Sequence, residues 1–173
     1  MQIHYILSVT SNDKPGVVEA ISSAVESCEA SWLESHLAHL CGKFVGVIRI
    51  RTDQSKATLL EQKLSELSED GIHISLEALA EASNKISLVN AKFTAVGPDR
   101  VGIIKEISSA FSSHQINVEE LESTLSSMPY SGEPIFEAQG LLSLPADFEL
   151  RVLHEAMDSI ANDLGLDLDI EQI

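Results

Sequence analysis

Two stretches of this chain combine residue types that could hold a small charged molecule. Asn12-Asp13-Lys14-Pro15-Gly16-Val17-Val18 sets an amide, a carboxylate and an ammonium just ahead of a glycine and an apolar helical run, and Pro98-Asp99-Arg100-Val101-Gly102-Ile103-Ile104 repeats much of that pattern. Glycine lets backbone approach a ligand closely. The N–H groups that open a helix, at the positive end of its dipole, suit a carboxylate, and polar side chains just before it could hold an ammonium. Those are the needs of an α-amino acid. The competing reading is an ordinary cap, because Asp-x-x-Gly before a helix can also satisfy free amides with no ligand present.

The elements around these loops also occur twice. Ile21-Ser22-Ser23-Ala24-Val25 follows the first loop as Ile107-Ser108-Ser109-Ala110-Phe111 follows the second, and a unit this long is a small domain and not a solenoid repeat. Ile3, Tyr5, Leu7 and Val9 alternate as in a half-buried strand. The stripe Val17, Val18, Ile21, Ala24, Val25 and Cys28 predicts a helix, with Pro15 near its start and Asn12 or Asp13 as its cap. Residues 31–40 and 43–52 predict a hairpin turning at Cys41-Gly42-Lys43, its first strand irregular enough for a bulge. A second helix carries Leu59, Leu60, Leu64 and Leu67, capped by Thr52 or Asp53 and stopped at Asp70-Gly71, before a strand holding Ile72, Ile74 and Leu76.

The second half predicts the same order: strand 87–96, helix 101–114, strands 116–126 and 135–144, helix 147–164, Gly165 as its stop and strand 166–171. Only the connection Ser127–Pro134 is longer than its counterpart, and its Pro, Ser and Gly content predicts a mobile loop. The domains are therefore expected at 1–80 and 87–173, joined by a short polar linker at 81–86. Strand, helix, strand, strand, helix, strand is the split βαβ plan of an α+β protein. It makes two ferredoxin-like (βαββαβ) repeats, each a four-stranded antiparallel sheet with both helices on one face.

Charge and composition exclude several functions. A formal net charge of −16, with 44% apolar residues, repels phosphate backbones and anionic lipid, so nucleic acid and membrane are not expected partners. No apolar run is long enough to span a bilayer and no secretory leader is evident at the N-terminus, which predicts a cytoplasmic protein. Cys28 and Cys41 have neither a disulfide framework nor zinc-ligand spacing around them.

With these elements in place, Asp13-Lys14-Pro15-Gly16-Val17-Val18 resembles the Asp-Arg-Pro-Gly signature of the ACT domain family, small regulatory modules that often bind amino acids. Asp99-Arg100-Val101-Gly102-Ile103-Ile104 matches it less completely, with Val101 where proline is usual. The run Ser27–Leu40 followed by Gly42-Lys43-Phe44, in a tandem arrangement, is similar to the glycine cleavage system transcriptional repressor group. The resemblance implies an amino-acid site shared across an interface between repeats or subunits. Its contacts would be Ser11, Asn12, Asp13, Gly16 and Ser31 in the first copy, and Gly97, Asp99, Gly102 and Asn117 in the second. It also implies a regulator acting through a partner protein, such as a DNA-binding activator, with no cofactor and no enzymatic activity. Monomer and homodimer both remain open, and a ligand-free dimerisation scaffold is the alternative function.

Other constellations carry less. His36 and His39, three apart on a strand, point to opposite faces and would share a metal only across a bulge. Glu119, Glu120 and Glu122 read as a solvated edge. No nucleophile stands at motif spacing from a base. Gly42-Lys43-Phe44-Val45-Gly46-Val47 faintly matches an RNA-recognition strand, yet the chain lacks the aromatics and basic platform that base stacking needs. Trp32 reads as a core or interface anchor.

Overall fold

The computed structural model describes residues 1–79, 89–145 and 148–173, which fold as two compact units, Met1–Asn84 and Lys85–Ile173. The expected linker at 81–86, the start of the strand expected from 87 and the helix start expected at 147 lie outside the described residues.

The first unit runs β1 (Gln2–Asn12), α1 (Val17–Ser27), β2 (Ser31–Leu40), β3 (Lys43–Asp53), α2 (Ala57–Glu66) and β4 (Ile72–Leu79). Its strands lie in the order β2-β3-β1-β4, every neighbour antiparallel. Alternate residues Tyr5, Leu7 and Val9 of β1 share one core with Ile48 and Ile50 of β3, Ile21 and Val25 of α1, and Leu60 and Leu64 of α2. Both helices therefore cover the same face of the sheet, as the period-two and 3.6-residue patterns require.

The second unit repeats the plan with β5 (Ala91–Pro98), α3 (Ile103–Ser113), β6 (Asn117–Ser127), β7 (Pro134–Ser143), α4 (Leu150–Leu164) and β8 (Asp167–Gln172). Its strand order is β6-β7-β5-β8. Phe93 of β5 meets Phe111 of α3 edge to face at 5.1 Å between ring centroids, a favoured aromatic geometry. Both halves thus carry the expected α+β fold. The irregular first strand of each hairpin is bulged at the same place, between Trp32 and Glu34 and between Val118 and Glu120.

Four local expectations are corrected. Asn12 and Asp13 do not cap α1, whose N-cap is Gly16 with no side-chain acceptor, and Pro15 precedes that cap. Thr52 and Asp53 do not cap α2, because a 3₁₀ turn at Gln54–Lys56 comes between and the Thr52 hydroxyl is buried. Val18 and Leu59, read as parts of apolar stripes, are exposed. Each lies one step off the axis of its stripe, where the helix already turns toward solvent. Among the described residues no helix is long and apolar enough to cross a membrane.

Candidate functional site

β1 carries the first loop to one end of its sheet, and the β2–β3 hairpin holds it there. Cys41 and Gly42, with φ of 50° and 76°, make the two-residue turn of that hairpin, a pair of positive φ values suited to the strands' twist. The Asp13 N–H donates to the Gly42 carbonyl at 2.9 Å. From the same turn the Gly42 N–H donates to His39 Nε2 at 3.2 Å, and Asp13 Oδ2 stands 3.6 Å from that nitrogen. Lys43 Nζ donates to Asn12 Oδ1 at 2.6 Å, and Lys14 Nζ to the Asp70 carbonyl at 2.8 Å. The loop is tied on both flanks.

Gly16 then starts α1 at φ 94°, a left-handed value that costs an L-residue strain. Nothing lies within 4 Å of where its Cβ would be, so conformation and not crowding demands glycine. The first intrahelical bond runs from the Ala20 N–H to the Gly16 carbonyl. Among the described residues no side-chain cap bond is made at this helix start, which leaves the N–H groups of Val17, Val18 and Glu19 without an intrahelical acceptor. These amides border an open depression of about 480 Å³ lined by Asp13, Gly16, Val17, Val18, Glu19 and Phe44, among others. Three elements thus converge on a concave site that offers helix-terminal amides, the helix dipole and the carboxylates of Asp13 and Glu19.

Other expected contacts lie elsewhere. Ser11 is buried on the core side of β1, and its hydroxyl donates to the Asn12 carbonyl at 3.0 Å. Ser31 pairs with Arg51, which pairs with His4, whereas Asn12 pairs with Lys43 beside Leu40. Ser31 therefore stands at the opposite end of its own sheet, roughly 26 Å away at about 3.3 Å per residue. Asn12, Asp13 and Gly16 stay together; Ser31 does not join them.

In the second unit Gly102 again opens its helix, α3, at φ 103° without a side-chain cap. The Asp99 N–H donates to the Pro134 carbonyl at 3.3 Å, the counterpart of the Asp13 tether. Val101 is fully exposed. A Cβ on Gly97 would sit 2.9 Å from the Gly165 carbonyl and 2.7 Å from Leu166 Cδ2, so the close passage of β5 by the turn after α4 requires glycine there. Asn117 pairs with Ser143 at the far end of the sheet. Its amide donates to Glu119 Oε1 at 2.7 Å, and it lines a separate shallow depression of about 390 Å³ with Ser108 and Gln115.

Sequence reasoning missed His39, Gly42 and Phe44 as parts of the first site. The spacing of His39 from His36 suggests only a metal in the sequence. Register from Glu34 to Leu40 is regular, so His36 and His39 do face opposite ways, and no metal-holding group of three or more His, Cys, Asp or Glu occurs among the described residues. The one available signal was the two-residue turn, since a tight hairpin at 41–42 fixes which residue of β2 returns beside the loop.

Residues 4–77 match the model of the ACT domain family. Over 79 residues, 45% of this chain, the sequence is 28% identical to a UPF0237 protein of Methanosarcina mazei, spanning 79% of that protein. A structure described as "an Unknown Protein from Galdieria sulphuraria" superposes with a TM-score of 0.87 at 21% identity, over 100% of this chain and 99% of its own. A structure described as a "putative glycine cleavage system transcriptional repressor" superposes with a TM-score of 0.75 at 17% identity, over 100% and 98%. Residues 4–77 thus resemble an ACT domain by sequence, and the second unit repeats the strand order of the first, so the chain has a two-ACT fold.

Proposed function

We propose that this chain is a non-enzymatic, ligand-responsive cytoplasmic regulator whose Asp13–Gly16 turn binds a small α-amino acid, with glycine as the leading candidate. The observation that carries the reading is the uncapped, glycine-initiated end of α1 opening onto a depression that also holds Asp13. The ligand carboxylate would take the amides of Val17–Glu19, and its ammonium would face the Asp13 carboxylate. Glycine suits a site whose floor is the Gly16 backbone and the apolar Val17, Val18 and Phe44. The bound state would then pass to a partner protein, a DNA-binding activator by analogy with the repressor-like neighbour, because a −16 chain is itself repelled by DNA. A ligand changes that partner's engagement only through unequal affinity for two states of the regulator.

Titration calorimetry with glycine tests this. Binding to the parent, weakened about tenfold in Asp13→Ala with its circular dichroism unchanged, is the expected result for loss of a charge-assisted contact. Absence of heat in the parent across the amino acids would sink the sensor reading. A second reading, a ligand-free interaction scaffold, draws on Ser31 and Asn117 standing at the far ends of their sheets.

A further inference from the structure

We propose that His39 is a proton-controlled switch on Asp13, exchanging the Gly42 amide for the Asp13 carboxylate when its ring becomes charged. Its Nε2 lies 3.2 Å from the Gly42 nitrogen and 3.6 Å from Asp13 Oδ2, and the two contacts need opposite states of that one atom. To accept from the Gly42 N–H, Nε2 must present its lone pair, which places the ring's proton on Nδ1. To bind the carboxylate, Nε2 must carry a proton. One ring cannot do both at once.

The surroundings leave this exchange to His39 and Asp13. From β3, Lys43 directs its ammonium at Asn12 Oδ1; from the loop, Lys14 sends its own to the Asp70 carbonyl. On α1, Glu19 Oε1 accepts from Ser23, Cys41 lies exposed in the turn, and His36 is on the other face of β2. Asp13 and Gly42 are also joined directly, through the Asp13 N–H and Gly42 carbonyl. The ring therefore moves between two groups whose backbones are hydrogen-bonded to each other.

Histidine is the side chain that changes charge between about pH 5 and 8. Neutral His39 holds the hairpin turn and leaves the Asp13 carboxylate facing the depression. Charged His39 neutralises that carboxylate, releases the Gly42 N–H and competes with a ligand ammonium. Acidification then lowers affinity for a zwitterion. This consequence rests on the amino-acid reading above; the exchange itself does not.

Both parts are read by NMR and calorimetry on the full chain. Through a pH titration without ligand, the Gly42 amide and the Asp13 carboxyl carbon should shift in step with the His39 ring nitrogens. In His39→Gln, whose amide oxygen can still accept from Gly42, both responses should flatten. Glycine affinity in the parent should fall about five- to tenfold from the neutral to the charged ring, the order expected when one exposed charged contact is lost, and should be level in His39→Gln. A Gly42 amide indifferent to His39 protonation overturns the switch, and an affinity that ignores that protonation while Gly42 responds overturns its control of the site. If glycine does not bind at any pH, the sensor reading fails while the Gly42 and Asp13 resonances still decide the exchange.

Discussion

Two kinds of glycine in the first unit do different work, and their substitution separates conformation from space. Gly16 holds φ 94° with nothing within 4 Å of a Cβ, whereas a Cβ on Gly46 would lie 2.8 Å from the backbone of Leu37, and closer still to the His36 carbonyl. Gly16→Ala should cost about 1–2 kcal/mol in urea unfolding, the expense of a left-handed L-residue alone. Gly46→Ala should cost more, because strands β2 and β3 must part to admit the methyl group. Equal losses would mean that the Gly16 turn is crowded after all. At 16 the sequence placed a glycine ahead of a helix, and the left-handed φ that demands it is a finding of the structure. At Gly46 the need for glycine depended on which β2 residue lies opposite, a fact of pairing that no local pattern encodes.

On the scale of single elements, helix α2 shows why a stripe read from spacing overstates the buried face. Leu60 is fully buried and Leu59 is 45% exposed. Leu60→Ala should therefore destabilise by about 2–5 kcal/mol in thermal or urea unfolding, and Leu59→Ala by less than about 0.5 kcal/mol; similar effects would contradict the packing. The turn that replaces the expected cap of α2 has its own electrostatic tie. Lys56 Nζ lies 2.6 Å from Glu29 Oε2, and this bond, with the attraction of the ammonium, holds the Glu29 carboxyl below its usual range. A carboxyl lowered in the folded state contributes stability above its unfolded value and loses it as pH falls through the folded one. The melting difference between the parent and Lys56→Met should accordingly shrink on acidification and in high salt. A difference that grew toward acid would refute the pairing.

For the whole molecule the prediction is thermodynamic. A ligand that binds only the native state raises its stability by mass action, so a thermal-shift panel of the twenty amino acids should single out glycine or a close neighbour in size. A flat panel favours the scaffold. The order of elements was legible throughout because strand and helix periods differ and each half wrote them in the same sequence. The site was legible only in part: Asn12, Asp13 and Gly16 are contiguous, so their meeting was assured. Ser31 and Asn117 are distant in the chain, and register sends them to the other ends of their sheets.

What the order of residues determined unaided was the doubled split βαβ plan with a glycine-bearing loop before the first helix of each half, because apolar period is a local property. What tertiary structure alone decided was the company those loops keep. The two-residue turn at Cys41-Gly42 brings His39 and Lys43 back beside Asn12 and Asp13, and the packing of β5 on Gly165-Leu166 makes Gly97 a point of close backbone approach. Both follow from strand pairing, in which a shift of one residue would send every side chain to the opposite face.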